Sequence, residues 1–284
     1  MSAIDSLLAG LFDYAGLYPP AGLSMRSAAN NYVEYGSSKH ASALGRFIVN
    51  LDRMEELRSV AGDSFSRLRL SVIATENTDW NGLTAKISDG APIDALEMKC
   101  GSISDVERAA SKIPRPLTTY FEVGLDAAGR AVLKAVVAAG ARAKIRMGGV
   151  VADAFPATSD VVQMLESLAE LRLPFKATAG LHHPVRSRRP FTYQPQSPQG
   201  MMHGFVNLCC ASALIYGGGD RREAEALLEE QDPSAWRITS DAIHWQDQSW
   251  TADQISKMRS RFLLSIGTCS FEEPIRDLES LGWL

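Results

Sequence analysis

From Arg46 onward, short runs of β-branched or aromatic residues alternate with longer stretches of helical periodicity. The runs are Arg46–Asn50, Arg69–Ala74, Ile93–Lys99, Leu117–Val123, Ala143–Met147 and Pro174–Thr178. Their starts, at 46, 69, 93, 117, 143 and 174, lie 23 to 31 residues apart. That is the size of a strand plus a crossover helix feeding a parallel sheet. The intervening segments Leu51–Val60, Ser102–Lys112, Asp126–Ala139 and Ser159–Leu171 carry apolar residues at helical spacing, and Ser102 is placed to cap its helix. After the sixth run the rhythm breaks. A polar loop from Leu181 to Gly200 contains Pro184, Pro190, Pro195 and Pro198. An apolar helix, Met201–Tyr216, then stops at Gly217-Gly218-Gly219, and a charged helix spans Arg221–Glu230. Further strands are predicted at Trp236–Thr239, or a neighbouring register up to Ile243, and at Phe262–Ile266, with a last helix over Glu273–Leu281.

Eight strands in βα order predict an α/β protein, a (β/α)8 TIM-type barrel with a long loop and an extra helix after strand six. A doubly wound open sheet is the runner-up, disfavoured because no glycine-rich dinucleotide turn follows the first run. The chain reads as one domain over 1–284, with 46–284 as barrel and 1–45 as an N-terminal helical extension. Within that extension Leu7, Leu8 and Leu11 suit a short helix, and Ser24 caps another running to about Tyr35. Between them, Asp13-Tyr14-Ala15-Gly16-Leu17-Tyr18-Pro19-Pro20-Ala21 is a loop that the prolines keep from helix. Asp13 and Tyr14 are candidates for a site, although packing of this loop across one end of the domain is the favoured reading.

Composition narrows the classes of function. The 284 residues are 45% hydrophobic, and 29 Lys and Arg against 33 Asp and Glu leave a net charge of −4. Such a balance offers no general footprint for nucleic acid. No apolar run reaches the roughly 18 residues that a membrane span needs. The start, Met1-Ser2-Ala3-Ile4-Asp5, lacks a basic segment followed by an apolar core, and the four cysteines form no C-x-x-C pattern. The expectation is a reduced, cytoplasmic protein whose partner is a small anionic metabolite, without nucleic acid or membrane, and with association into a homo-oligomer left open.

Strand alternation concentrates charge on one face. Glu97 and Lys99 share a face, as do Glu122 with Tyr120 and Thr118, Lys144 with Arg146, and Lys176 with Thr178. A barrel interior is ordinarily filled by branched apolar side chains, so four consecutive charged strands point to a site near the C-terminal end. Lys176, among other cations in an apolar surround, is the expected nucleophile, because desolvation and like charge favour the neutral amine that attacks a carbonyl. Glu122 or His183 is expected to move protons, and Arg146 to orient the anion. Glu97, Lys99, Thr178, His182 and His203 complete the expected substrate-binding set. The alternative is a buried ion-pair network that merely fills the barrel.

Ala143-Lys144-Ile145-Arg146 followed by Phe175-Lys176-Ala177-Thr178-Ala179-Gly180 resembles strands five and six of deoxyribose-phosphate aldolase and related class I aldolases. Ser265-Ile266-Gly267-Thr268-Cys269-Ser270 resembles that family's eighth strand. The resemblance, in short pieces over about a quarter of the chain, implies that Lys176 forms a Schiff base and that Lys144 is the neighbour that perturbs it. It also implies that Gly267, Thr268 and Ser270 help hold a phosphate. Two departures stand out: the family's second catalytic lysine and glycine pair on strand seven have no counterpart in Trp236–His244, and Arg146-Met147-Gly148-Gly149 replaces the strand-five acid. The motifs Asp13–Ala21 and Lys176–Pro184 also make the whole chain similar to a bacterial family, a resemblance that brings no activity with it.

A different class is open to the histidines. His182, His183, His203 and His244, with Glu97, Glu122 or Cys269, are candidate ligands of a divalent metal such as zinc. Adjacent histidines point apart, and no H-x-H or H-E-x-x-H spacing occurs, so an acid–base role is favoured and no cofactor or metal is expected. Arg186, Arg188 and Arg189 suit equally a cationic lid or a solvated loop. Cys269 is a candidate nucleophile, although a buried structural cysteine is the commoner case. Glu272-Glu273-Pro274 reads as a helix N-terminus. A non-enzymatic ligand-binding or assembly barrel is the third reading.

Overall fold

The computed structural model describes residues 1–284. Eight parallel strands close into a barrel: β1 (Phe12–Tyr14), β2 (Leu44–Asn50), β3 (Leu70–Ala74), β4 (Ile93–Lys99), β5 (Thr118–Val123), β6 (Arg142–Arg146), β7 (Phe175–Thr178) and β8 (Leu263–Thr268). The fold is the predicted (β/α)8 TIM-type barrel, but one of its strands is not where the hydrophobic pattern places it, and one predicted strand lies outside the barrel.

Closure is made by β1, inside the segment expected to be an extension. Phe12 pairs with Ile266 of β8 and with Leu44 of β2, and Tyr14 pairs with Thr268 and Phe47. Three residues between Leu11 and a diproline turn are too short for periodicity to register as a strand. Their side chains are nonetheless buried, and Phe12 packs edge-on against Phe205 at a centroid distance of 5.3 Å. The flanking helices α1 (Ala3–Leu8), closed by a Ser2–Asp5 capping box, and α2 (Met25–Tyr35), capped by Ser24, form as predicted.

Trp236–Ile238, expected as barrel strand seven, instead starts an antiparallel three-stranded sheet with Ala242–Trp245 and Gln248–Thr251. The links at 239–241 and 246–247 are hairpin turns, far too short for the crossover that parallel strands require. Trp236, Trp245 and Trp250 are buried within this sheet. The segment predicted as the sixth strand, Pro174–Thr178, therefore forms the seventh of the barrel, over Phe175–Thr178.

The long insertion after β7 begins with a two-stranded hairpin, Ser187–Pro190 with Gln199–Met202. It continues as the predicted apolar helix, trimmed to Phe205–Tyr216 because Met201 and Met202 belong to the hairpin. That helix is buried on every side from Phe205 to Ile215, consistent with its uniformly apolar sequence. At the closed end of the barrel, buried Arg259 donates through Nε to Leu7 O at 2.9 Å, through Nη2 to Ala9 O at 3.1 Å, and through Nη1 to Leu263 O. It thereby fixes the entries to β1 and β8. No helix is long and apolar enough to cross a membrane.

Because β1 supplies one wall, deleting residues 1–22 should abolish the cooperative unfolding transition rather than shorten a dispensable arm. Urea unfolding followed by near-UV circular dichroism checks this, and a native-like transition in the truncated chain would contradict the closure.

Candidate active site

The parallel register places Glu122 beside Lys144 and Lys144 beside Lys176, so three interior charges form one row across β5, β6 and β7. Two further carboxylates meet them, Asp13 from β1 and Glu97 from β4. Lys176 is fully buried, donating to Asp13 Oδ2 at 2.5 Å and Glu97 Oε1 at 2.7 Å, with Nζ 5.4 Å from the Tyr120 ring centroid. Lys144 Nζ lies 2.7 Å from the other Glu97 oxygen, in a charge contact outside hydrogen-bonding direction, and 2.9 Å from Glu122 Oε2. Arg146 Nε ends the chain, 3.4 Å from Glu122 Oε1. Ser71 donates to Glu97 at 2.6 Å, Ser265 to Asp13 Oδ2 at 2.8 Å, and the Arg46 amide to Asp13 Oδ1 at 2.7 Å.

This corrects the expected chemistry of Lys176. Burial alone would drive its pKa down, but contact with Asp13 and Glu97 overcomes burial and raises it above the ordinary lysine value. Lys176 is a sealed ammonium, not an amine poised to attack. Burial likewise pushes the Glu97 carboxyl up, and the ammoniums of Lys144 and Lys176 more than reverse this, holding it well below the usual range. Glu122 is lowered in the same way, against burial, by Lys144 and Arg146.

Two cavities with lining residues in common open above this row. The larger, about 630 Å³, lies over β3 to β6 and is lined by Tyr18, Trp80, Lys99, Arg108, Lys112 and Glu122, among others. The smaller, about 290 Å³, is bounded by the diproline loop, Thr178, Gly180, His182, Gly267 and Cys269. Glu97, Lys144, Arg146, Tyr18 and Ile73 line both. The loops after β6 and β7 cross tightly over the smaller cavity. A Cβ on Gly148 would lie 2.9 Å from Gly180 Cα, and Gly180 holds φ at +72°, so glycine is required there.

The other expected site residues divide. Lys99, Thr178, His182 and Gly267 line a cavity. Thr268 and Ser270 do not: Thr268 Oγ1 donates to Ser270 O at 3.0 Å, and Ser270 Oγ accepts from the Glu273 amide at 3.1 Å. They tie off the start of the helix Glu272–Ser280, whose first turn bears two glutamates, an arrangement that opposes the expected phosphate site. His183 lines neither cavity and bonds Asp277 Oδ2 through Nδ1 at 2.6 Å, which removes it as a proton carrier for the interior. His203 donates through Nε2 to Pro156 O at 2.9 Å, while Nδ1 faces the Arg186 guanidinium at 3.2 Å. Both of its ring nitrogens are thus engaged, so it neither binds substrate nor joins His182 and Glu97 as a metal ligand. No group of three or more His, Cys, Asp or Glu side chains is arranged to hold a metal ion. Arg188 and Arg189 are exposed on the hairpin, with Arg189 bonded to Ser187. The hairpin residue that reaches the mouth is Tyr193, which donates to Glu273 Oε2 at 3.0 Å.

Asp13 and Glu273 are the participants whose importance the sequence understates. The signal for Asp13 is a carboxylate within an apolar run beside glycine and a rigid diproline. Glu273 carries no signal apart from its place in a helix first turn.

No family model and no curated protein matches the sequence. Among solved structures, the chain is similar to FabK from Thermotoga maritima and to a point mutant of the same protein, at 12% and 16% identity with TM-scores of 0.36 and 0.39. The likeness covers 65% of this chain and 56% and 59% of the FabK chains. The match thus spans less than two thirds of those proteins, and at these values it carries no argument about reaction.

Two outcomes follow from the burial of these charges. Lys176→Met should cost about 3–5 kcal/mol in urea unfolding, because it leaves buried Asp13 without a cation and Glu97 with Lys144 alone; a neutral substitution would contradict the pairing. His203 should confer acid lability. Burial, aided by Arg186, lowers it to about 4, so below the ordinary value of about 6.5 the unfolded chain binds a proton that the folded one refuses. Folding stability then falls by about 3 kcal/mol between pH 6.5 and pH 4, above the window of the lowered carboxylates. His203→Gln should flatten part of that decline, measured as midpoint against pH.

Proposed function

We propose that the chain is a barrel enzyme acting on a small anionic carbonyl metabolite through a Schiff base on Lys144, as in class I aldolases and lyases. The observation that carries this reading is the unequal setting of two lysines on the two oxygens of Glu97. Lys176 is sealed beneath, while Lys144 lines both cavities. The corrected strand order bears on the aldolase resemblance too. With Phe12–Tyr14 as β1, Lys144 stands on barrel strand six and Lys176 on strand seven, followed by Ala179-Gly180. The second lysine missing from Trp236–His244 is thus supplied, and the nucleophile's place passes from Lys176 to Lys144.

For Lys144 to attack, a proton must leave Nζ, and Glu122 at 2.9 Å is placed to take it. The neutral nitrogen then bonds to the carbonyl carbon, and the carbonyl oxygen departs as water after receiving two protons, one of them returned by Glu122. Lys176 cannot substitute for Lys144, being enclosed by carboxylates, but its fixed charge keeps Glu97 ionised and available to the imine cation. Lys99 and Lys112, which line the larger cavity and make no ion pair, would meet the substrate's anionic group. A ligand-binding or assembly barrel would need none of this asymmetry between the lysines.

Borohydride trapping with small aldehydes and ketones, read by intact mass and peptide mapping, tests the reading. A reduced adduct should form on Lys144 and vanish in Lys144→Met, whereas Lys99→Ala with Lys112→Ala should raise the half-saturating concentration of a phosphorylated aldehyde about ten-fold. Absence of any adduct, or its persistence in Lys144→Met, would sink the proposal.

A further inference from the structure

The smaller cavity has a second reactive wall. Cys269, just beyond β8, lines it together with His182, and Lys144 and Arg146 line the same space. His182 Nε2 stands 4.0 Å from Cys269 Sγ, and its Nδ1 donates to Glu273 Oε2 at 3.0 Å. Tyr193 OH donates to the same Glu273 oxygen and lies 3.7 Å from the sulfur. A nucleophile, an imidazole and a carboxylate that orients the imidazole stand in the order that activation of a thiol requires.

We propose that Cys269 is an imidazole-paired nucleophilic thiol, and that the smaller cavity takes a small α,β-unsaturated carbonyl compound that adds reversibly to its sulfur. The pair does not depend on Schiff-base formation at Lys144. In the addition, the thiolate sulfur bonds to the β-carbon and the alkene electron pair moves toward the α-carbon. The transient enolate oxygen is met by Arg146, and the α-carbon takes the proton of the His182 imidazolium. Reversal expels the thiolate and restores the alkene, so no oxidant, reductant or water is consumed. Cavity size and chemistry favour this class: about 290 Å³ suits a few-carbon ligand, and the Arg146 cation lines the same cavity as the sulfur.

The other cysteines lack this setting. Cys209 and Cys210 lie inside the apolar helix Phe205–Tyr216, and Cys100 is buried directly after β4. Burial pushes Cys100 and Cys209 up to about 12 and Cys210 well above the ordinary value. Burial would lower His182, but its contacts with Cys269 and Glu273 reverse that and raise it to about 10. The other titratable groups that face the pair are Tyr14 from β1, Tyr193 from the hairpin, and His183 with its partner Asp277.

Two measurements on the intact chain test the proposal. The first is the rate of iodoacetamide alkylation against pH, mapped by peptide mass spectrometry. Cys269 should react before Cys100, Cys209 and Cys210, at a rate nearly constant between pH 6.5 and 8.5. In His182→Gln its rate at pH 7 should fall roughly ten-fold and follow an ordinary thiol titration. Equal rates with the same pH midpoint near 8.5 in both proteins would overturn the pairing, since mere exposure predicts that result. Should His182→Gln not fold, Glu273→Gln should show the same change in reduced degree, and an unaltered profile there counts against the proposal. The second uses methyl vinyl ketone without reductant. The adduct should sit on Cys269, be lost in Cys269→Ser and survive in Lys144→Met, while Cys269→Ser keeps any borohydride-trapped adduct on Lys144. First modification at another residue would overturn the assignment.

Discussion

Lys176 held between Asp13 and Glu97 is the interaction on which the rest of the barrel interior depends. Through the two carboxylates it reaches Ser71 on β3, Ser265 on β8 and the Arg46 amide on β2. Lys144 extends the network to Glu122 on β5 and Arg146 on β6. Every barrel strand thus contributes a group to one polar chain, where branched apolar side chains would ordinarily fill the space. Desolvating so many charges is costly, and an apolar replacement of equal volume would often be as stable. The arrangement survives because it is balanced: Asp13, Glu97 and Glu122 match Lys176, Lys144 and Arg146, each buried charge touching an opposite one. Removing a member leaves a buried charge without its counterpart, which costs more than the whole network contributes.

Exposure along this chain is graded. Asp13 and Lys176 are closed off, Glu97 barely reaches the cavity floor, Lys144 is 7% exposed, and the Arg146 side chain is 53% exposed at the mouth. Rigidity and reactivity are therefore separated along one line of contacts. The sealed half fixes the position and charge of Glu97, and Glu97 in turn fixes Lys144 at the cavity floor. A reactive group positioned by a fully buried neighbour needs little reorganisation when a ligand arrives.

Much of this was legible in the sequence. The period-two placement of Glu97, Glu122, Lys144 and Lys176 on inward faces follows from strand alternation alone, and the βα spacing from 46 to 174 was enough for the barrel. What escaped was set by contacts distant in sequence. Phe12–Tyr14 is too short to show a period, and its identity as a strand rests on pairing with residues more than 250 positions away. The Trp236 run has strand character, and only the hairpin turns after it reveal that it cannot be a parallel barrel strand. That single displaced strand altered the chemistry, because it hid Asp13 as the partner of Lys176 and placed Lys176 on the wrong strand. The direction of the lysine's pKa shift could not be read without knowing what faced it: cations alone would have lowered it, whereas two carboxylates raise it. The histidine pair shows the same limit. His182 and His183 are neighbours in sequence, yet one meets Cys269 at the cavity and the other is spent on Asp277.

The graded network also bears on how an anionic ligand would be received. Because the buried row is already neutral, a ligand anion entering the mouth must take its counter-charge from cations that can be released cheaply. Lys176 and Lys144 cannot serve, since each would leave a desolvated carboxylate behind. Arg146 can: its one contact with Glu122 is long and largely exposed, so exchanging it for a ligand oxygen costs little. Glu122 would keep Lys144 as its partner throughout. An anion drawn to Arg146 from the side of Lys99 and Lys112 would then lie above Lys144, with its far end directed toward the smaller cavity, His182 and Cys269. Under the proposed reading, the exposed cation would capture the ligand, the nearly buried Lys144 would meet its carbonyl, and the sealed Lys176 would stay in place.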